Sequence, residues 1–171
     1  MRLYKAKVPI IAHDIIEQLS DAEDIEVSDR DEAEQDIQAV LNEYRRLDRE
    51  VTETTKDQMQ ARGLDYGMFG RVRRSVAEKM DLALGDDSIL WMCNQILETF
   101  MQSHFIEEIF QSDAILRRKM TEILKHHMMV DDELDVEVRR HIKNLEEGSM
   151  NWDVEYAKVM EQIKRKRGLD K

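Results

Sequence analysis

Five histidines and 37 carboxylates are the residues of this chain that could ligate a metal or move a proton. A two-metal site in a helical bundle needs Glu-x-x-His on two helices, and no histidine here has a glutamate three residues before it. The His-Glu-x-x-His pair of a zinc hydrolase is also absent. What remains are pairs four residues apart: His13 with Glu17, His104 with Glu108, and Glu122 with His126. On a helix each would present two metal ligands on one face. A charge-rich helical surface produces such pairs without any metal, so no cofactor is expected. Asp131, Asp132, Glu133, Asp135 and Glu137 lack the glycine of a calcium-binding loop and read as a solvated helix face. No nucleophile elbow or phosphate loop occurs, and Gly63, Gly67 and Gly70 fit helix caps and a hinge better than a dinucleotide turn. Cys93, the single cysteine, lies in an apolar run and reads as an inert buried thiol.

Binding is the other chemistry on offer. Arg71, Arg73 and Arg74 form one basic spot, and Lys164, Arg165, Lys166 and Arg167 form another. If the two converge they make an anion- or RNA-binding patch; otherwise they pair with nearby acids and with helix dipoles. Eleven methionines are an unusual number. Flexible thioethers fill irregular cores, and they also line adaptable grooves that accept partner helices. Met68, Phe69, Met101, Phe105, Met128 and Met129 are the residues expected to line such an apolar cleft.

These side chains must be held by helices. One proline and six glycines in 171 residues leave too little turn chemistry for a sandwich or barrel. The chain is 37% charged and 42% hydrophobic, enough apolar content for a real core. A first helix starts near Pro9 and ends near Ala22, with Val8, Ile11, Ala12, Ile15, Ile16 and Leu19 on one face. Ser28 or Asp29 caps a second, running to Gly63 along a stripe of Ala33, Ile37, Val40, Leu41, Tyr44, Leu47, Val51, Gln58 and Met59. At 1.5 Å per residue it is about 50 Å long. A third covers 66–80 and a fourth carries Ile89, Leu90, Cys93, Ile96, Leu97, Phe100 and Met101. The fifth runs from Ser112 to Glu147, and Asn151 opens the sixth.

The net charge of −11 disfavours long-range attraction to nucleic acid or an anionic membrane. Most of it comes from residues 11–40, which hold eleven acids and one base. No run of about 18 apolar residues is present to span a membrane. Arg2, Lys5 and Lys7 lead into a polar helix and not a signal-peptide core, so the expected location is cytoplasmic.

The order of elements repeats. At a shift of 81, Glu17, Ile25 and Glu26 meet Glu98, Ile106 and Glu107. At a shift of 83, Ile37, Leu41, Asp48, Glu50 and Val51 meet Met120, Leu124, Asp131, Glu133 and Leu134. At 87, Phe69, Val72 and Val76 meet Tyr156, Val159 and Ile163. The expected architecture is an all-α, elongated antiparallel bundle of about six helices. It divides into two pseudo-repeated three-helix halves, 1–84 and 85–171, folding as one cooperative unit, with the two long helices as a stalk.

Met1-Arg2-Leu3-Tyr4 with Val8-Pro9-Ile10-Ile11-Ala12, Asp131 to Asp135 with Arg139 to Leu145, and Lys158 to Leu169 resemble the bacterial domain-of-unknown-function family 507. The resemblance runs end to end. It implies an all-helical, Y-shaped fold with shorter helices flanking a cleft, and it supplies no activity. The leading expectation is therefore a non-enzymatic interaction or scaffold module that binds a protein partner or itself. A metal-dependent enzyme using His13, Glu17, His104 and Glu108 is the alternative, and a nucleic-acid-associated factor using the basic helix ends is a third.

Overall fold

A computed structural model describes residues 2–169; Met1, Asp170 and Lys171, at the outer ends of the two expected halves, lie outside the described residues. Six helices carry the chain: α1 (Val8–Asp21), α2 (Arg30–Arg62), α3 (Phe69–Lys79), α4 (Asp87–Gln102), α5 (Asp113–His141) and α6 (Met150–Lys166). Two short strands, β1 (Ile25–Val27) and β2 (Ile106–Ile109), follow α1 and α4. Each half thus runs helix, strand, long helix, helix.

Local chemistry sets the boundaries. Asp29 caps α2 by accepting from the Glu32 N–H at 3.2 Å, and Gly63 ends it in the left-handed conformation at φ +61°. Ser112 and Ser149 cap α5 and α6 in the same way, accepting from the N–H groups of Ile115 and Trp152. Asn151, expected to open the last helix, lies inside its first turn. The fifth helix stops at His141, short of the expected Glu147; Glu147 there turns back to bind Arg139.

The apolar face read for α1 is buried in full. In α2, Thr55 replaces Gln58 on the stripe. Its hydroxyl donates to the Val51 carbonyl one turn back at 2.7 Å, so a polar side chain is buried without an unmet hydrogen bond. In α4 the buried side includes Met92, while Leu90 and Met101 face solvent.

The main core joins α1, α2, α3, α4 and the first half of α5. A second cluster holds Leu134, Val138 and Ile142 of α5 against Trp152, Tyr156, Met160 and Ile163 of α6, with Tyr4 packed on it. The α5–α6 hairpin is therefore an arm with its own small core. The principal packed pairs are α1 with α2, α2 with α3, α4 with α5, α5 with α6, α2 with α4 and α1 with α5. Exchanging α1 with α4, α2 with α5 and α3 with α6 leaves this set unchanged.

The strands pair antiparallel, with Ile25 opposite Ile109 and Glu26 opposite Glu108. Backbone bonds from Ser28 N–H to the Phe105 carbonyl and from Phe110 N–H to the Asp24 carbonyl, each 2.9 Å, extend the ladder. Asp24 itself is 1% exposed and takes an ion pair from Lys119.

Candidate functional site

The arm concentrates the chain's polar aromatic chemistry. Tyr156, on the inner face of α6, donates its hydroxyl to Asp135 of α5, leaving the Tyr4 hydroxyl to donate to Tyr156 at 2.9 Å. Arg2 stands 4.5 Å from the Tyr156 ring centroid and 3.6 Å from Asp135. Trp152 stacks on Tyr156 at 4.9 Å, and Arg139 lies 5.2 Å from the Trp152 centroid. Lys164 Nζ lies 4.5 Å from the Tyr4 ring centroid. These are cation–π contacts in a half-buried setting, where each contributes about 1 kcal/mol.

Burial first, then the bonds to Asp135 and Tyr4, push the Tyr156 phenol well above its ordinary pKa. Burial works against the charge of Arg139, but Glu147 and Asp135 outweigh it and raise its pKa. Both groups are held in one protonation state across the physiological range. Neither is poised to transfer a proton.

Between this arm and α2 and α3 lies a cleft of about 250 Å³. Its cations are matched. Arg73 pairs with Asp48, Lys56 with Asp153 at 2.6 Å across the cleft, and Arg139 with Glu147 at 3.1 Å. Tyr44 closes one wall, donating to the Ala83 carbonyl at 3.0 Å, and burial pushes its pKa up to about 12. The floor is a backbone contact, with Gly148 lying directly on the Phe69 ring. The cleft is an ionic seam that fastens the arm.

The histidine pairs fare differently. His13 meets two carboxylates, Glu34 at 2.8 Å and Glu17 at 3.3 Å. Glu34 belongs to the neighbouring helix α2, so sequence spacing within one helix gave no sign of it. This triplet, with Glu34 half-buried and the other two exposed, bridges α1 and α2 electrostatically. The hydrogen bond to Glu34 first, then its charge, raise the His13 pKa. The contribution to stability is therefore complete below the unfolded value of about 6.5 and fades as pH rises through the folded value. NMR titration of the full chain should place His13 above about 6.5, and Glu34→Gln should bring it back toward that ordinary value.

His104 and Glu108 do not share a helical face: α4 ends at Gln102, Ser103 turns extended at ψ 135°, and Glu108 belongs to β2. Among the described residues no three His, Cys, Asp or Glu side chains group as a metal site.

The residues expected to line one apolar cleft are dispersed. Phe69 and Met128 are buried in the core, Met68 and Phe105 pack partly against it, and Met101 and Met129 are exposed on different helices. The cleft beneath the arm contains no methionine, and of the six only Met129 borders the shallow hollow on α5 beside Val136 and Arg140. The basic spots do not meet either. Arg73 lines the cleft beside Trp152 and Asp153, at the first turn of α6. Lys164 to Arg167 lie at its far end, about 17–21 Å along the axis at 1.5 Å per residue. Arg165 pairs with Glu161 and Arg167 with Glu137, while Arg74 reaches the Gly70 carbonyl and Arg71 is exposed.

The sequence reading named Met129 as a lining residue and Glu133 as part of a solvated face, but did not join them into the outward face of α5. Met129 is 58% and Val136 50% exposed, two turns apart on one side of the helix. Exposed Glu133 lies between them and exposed Arg140 one turn beyond Val136. Asp131 is likewise no part of a solvated face: it is 3% exposed.

The fold is that of an all-helical bundle with one two-stranded ladder among the described residues. No helix among the described residues is long and apolar enough to cross a membrane. Over residues 1–169 the chain matches the family described as Protein of unknown function (DUF507), and it belongs to that family. No curated protein matches it.

Proposed function

We propose that this protein is a non-enzymatic helical interaction module that associates with a second copy of itself through the outward face of α5. The observation that carries this reading is the charge-graded apolar face: Met129 and Val136 uncovered, an acid at Glu133, a base at Arg140. Two such helices laid antiparallel, with the twofold axis between positions 136 and 137, place Glu133 of each copy opposite Arg140 of the other. Val136 then packs on its own symmetry mate. An isologous contact of this kind is self-complementary, as a twofold dimer requires. The invariant set of helix pairs also fits a chain built from one unit used twice.

The apolar strip is narrow, so the expected affinity is on the order of ten micromolar. Sedimentation velocity of the full chain between about 1 and 300 µM should show a reversible monomer–dimer equilibrium. Glu133→Arg should weaken it at least about tenfold, and adding Arg140→Glu should restore it, because the reversed charges face each other again. A monomer throughout that range, or a double variant no better than the single one, contradicts the reading.

A further inference from the structure

Asp131 is buried on the apolar stripe of α5, between Met128 and Leu134, and its Oδ2 has no hydrogen-bond partner among the described residues. A buried carboxylate oxygen without a hydrogen-bond partner is costly, and a bound water, ion or ligand is among the explanations such a group calls for. Asp131 lines a cavity of about 240 Å³ between the N-terminal segment, α5 and the end of α6. Burial raises the Asp131 pKa, and Lys7 and Lys164, which line the cavity too, act against that rise. Apart from Tyr4, the remaining side chains of the wall are apolar. Ile10, Val130 and Leu169, three of the large apolar side chains left open to solvent, all border this one cavity.

The repeat relation sharpens the anomaly. At the shift of 83, Asp131 corresponds to Asp48, which Arg73 neutralises. At the shift of 87, the counterpart of Arg73 is Met160. The second half keeps the acid but has no arginine at the matching position.

We propose that this cavity binds a small zwitterion of the free apolar amino-acid type. Its ammonium hydrogen-bonds Asp131, its carboxylate lies between Lys7 and Lys164, and its side chain packs on Ile10, Val130 and Leu169. A cation alone would be repelled by the two lysines, and an anion alone would leave Asp131 unpaired. A zwitterion with an apolar body satisfies all three parts of the wall. This site does not depend on the α5 dimer, and it can be tested on monomer or dimer alike.

Isothermal titration of the full chain with L-leucine should show saturable binding at one site per chain. N-acetyl-leucine, which lacks the ammonium, and leucinamide, which lacks the carboxylate, should each bind at least about tenfold more weakly. Asp131→Asn should lose binding by a similar factor while its thermal midpoint without ligand stays level or rises, because a neutral amide is easier to bury. Lys164→Met provides a second loss-of-binding variant that leaves Asp131 in place. No saturable heat with L-leucine or L-phenylalanine up to about 10 mM overturns the proposal. So does binding that both amino-group and carboxylate blocking leave unchanged, or that survives Asp131→Asn.

Discussion

Gly148→Ala is expected to destabilise the protein by about 3 kcal/mol, the sum of left-handed backbone strain and overpacking against a fixed ring. Gly148 has φ +94°, and a Cβ there would stand 2.6 Å from Phe69 Cδ2 and 2.9 Å from Cε2. Phe69 is the first residue of α3 and is buried in the main core, so it has no free space to retreat into. The link between α5 and α6 would have to lift, and with it the ionic seam from Lys56 to Asp153. In a chain of this size the loss corresponds to roughly 6–12 °C in Tm. Gly63 is the control. It also has positive φ, +61°, but a Cβ there meets nothing within 4 Å, so Gly63→Ala should cost only about 1 kcal/mol. Urea unfolding of both variants decides it. Equal losses would mean that the approach of the arm to α3 is not tight, and Phe69→Leu should recover part of the Gly148→Ala loss if it is.

Lys119→Met carries the second large effect. Asp24 sits where α1 hands over to β1, its N–H donating to the Leu19 carbonyl and its own carbonyl accepting from Phe110, each at 2.9 Å. Its carboxylate is almost fully enclosed and Lys119 of α5 neutralises it. Removing one member of a buried pair leaves an uncompensated charge, at about 3–5 kcal/mol. Lys119 is about one-third exposed, which puts the expectation at the low end, about 3 kcal/mol. The Asp24→Asn/Lys119→Met double variant should recover at least about 2 kcal/mol of that, since no charge then remains buried. A double variant as unstable as the single one would show that Lys119 contributes through its alkyl packing and not through its charge.

Periodicity carried the reading of the helices because each has one buried face, and α2, α5 and α6 also have a side-chain cap at the start. The α1 face, the Asp29 cap and the Gly63 stop were all legible for that reason. The strands were not. Segments this short have no period to read, and each is held mainly by pairing with the other, which lies in the opposite half of the chain. The shift of 81 did align Ile25 and Glu26 with Ile106 and Glu107, which was the only sign that the two segments belong together. His104 and Glu108 kept helical spacing in the sequence, but no residue between Gln102 and Phe110 announces where α4 ends.

The site was less legible than the fold. Asp131 was grouped with its acidic neighbours by residue type, yet it follows Leu124 and Met128 and precedes Leu134 and Val138 at helical intervals. The stripe position was the available signal, and polarity hid it. The methionines could not be sorted at all, because a thioether suits a core and a groove equally well. Met128 and its neighbour Met129 point to opposite environments, and only the packing of α5 against the main core separates them.

The most direct test of the α5 interface is oxidation of Val136→Cys. The native Cys93 is buried and forms no disulfide within the chain, so the new thiol is the only one offered at the surface. With Val136 beside the twofold axis its Cβ meets its own mate at disulfide distance. Mild oxidation at micromolar protein should therefore yield a covalent dimer in high yield, whereas Leu90→Cys, an equally exposed position on α4, should remain monomeric. Equal, slow crosslinking of both variants, or none at position 136, would contradict the interface.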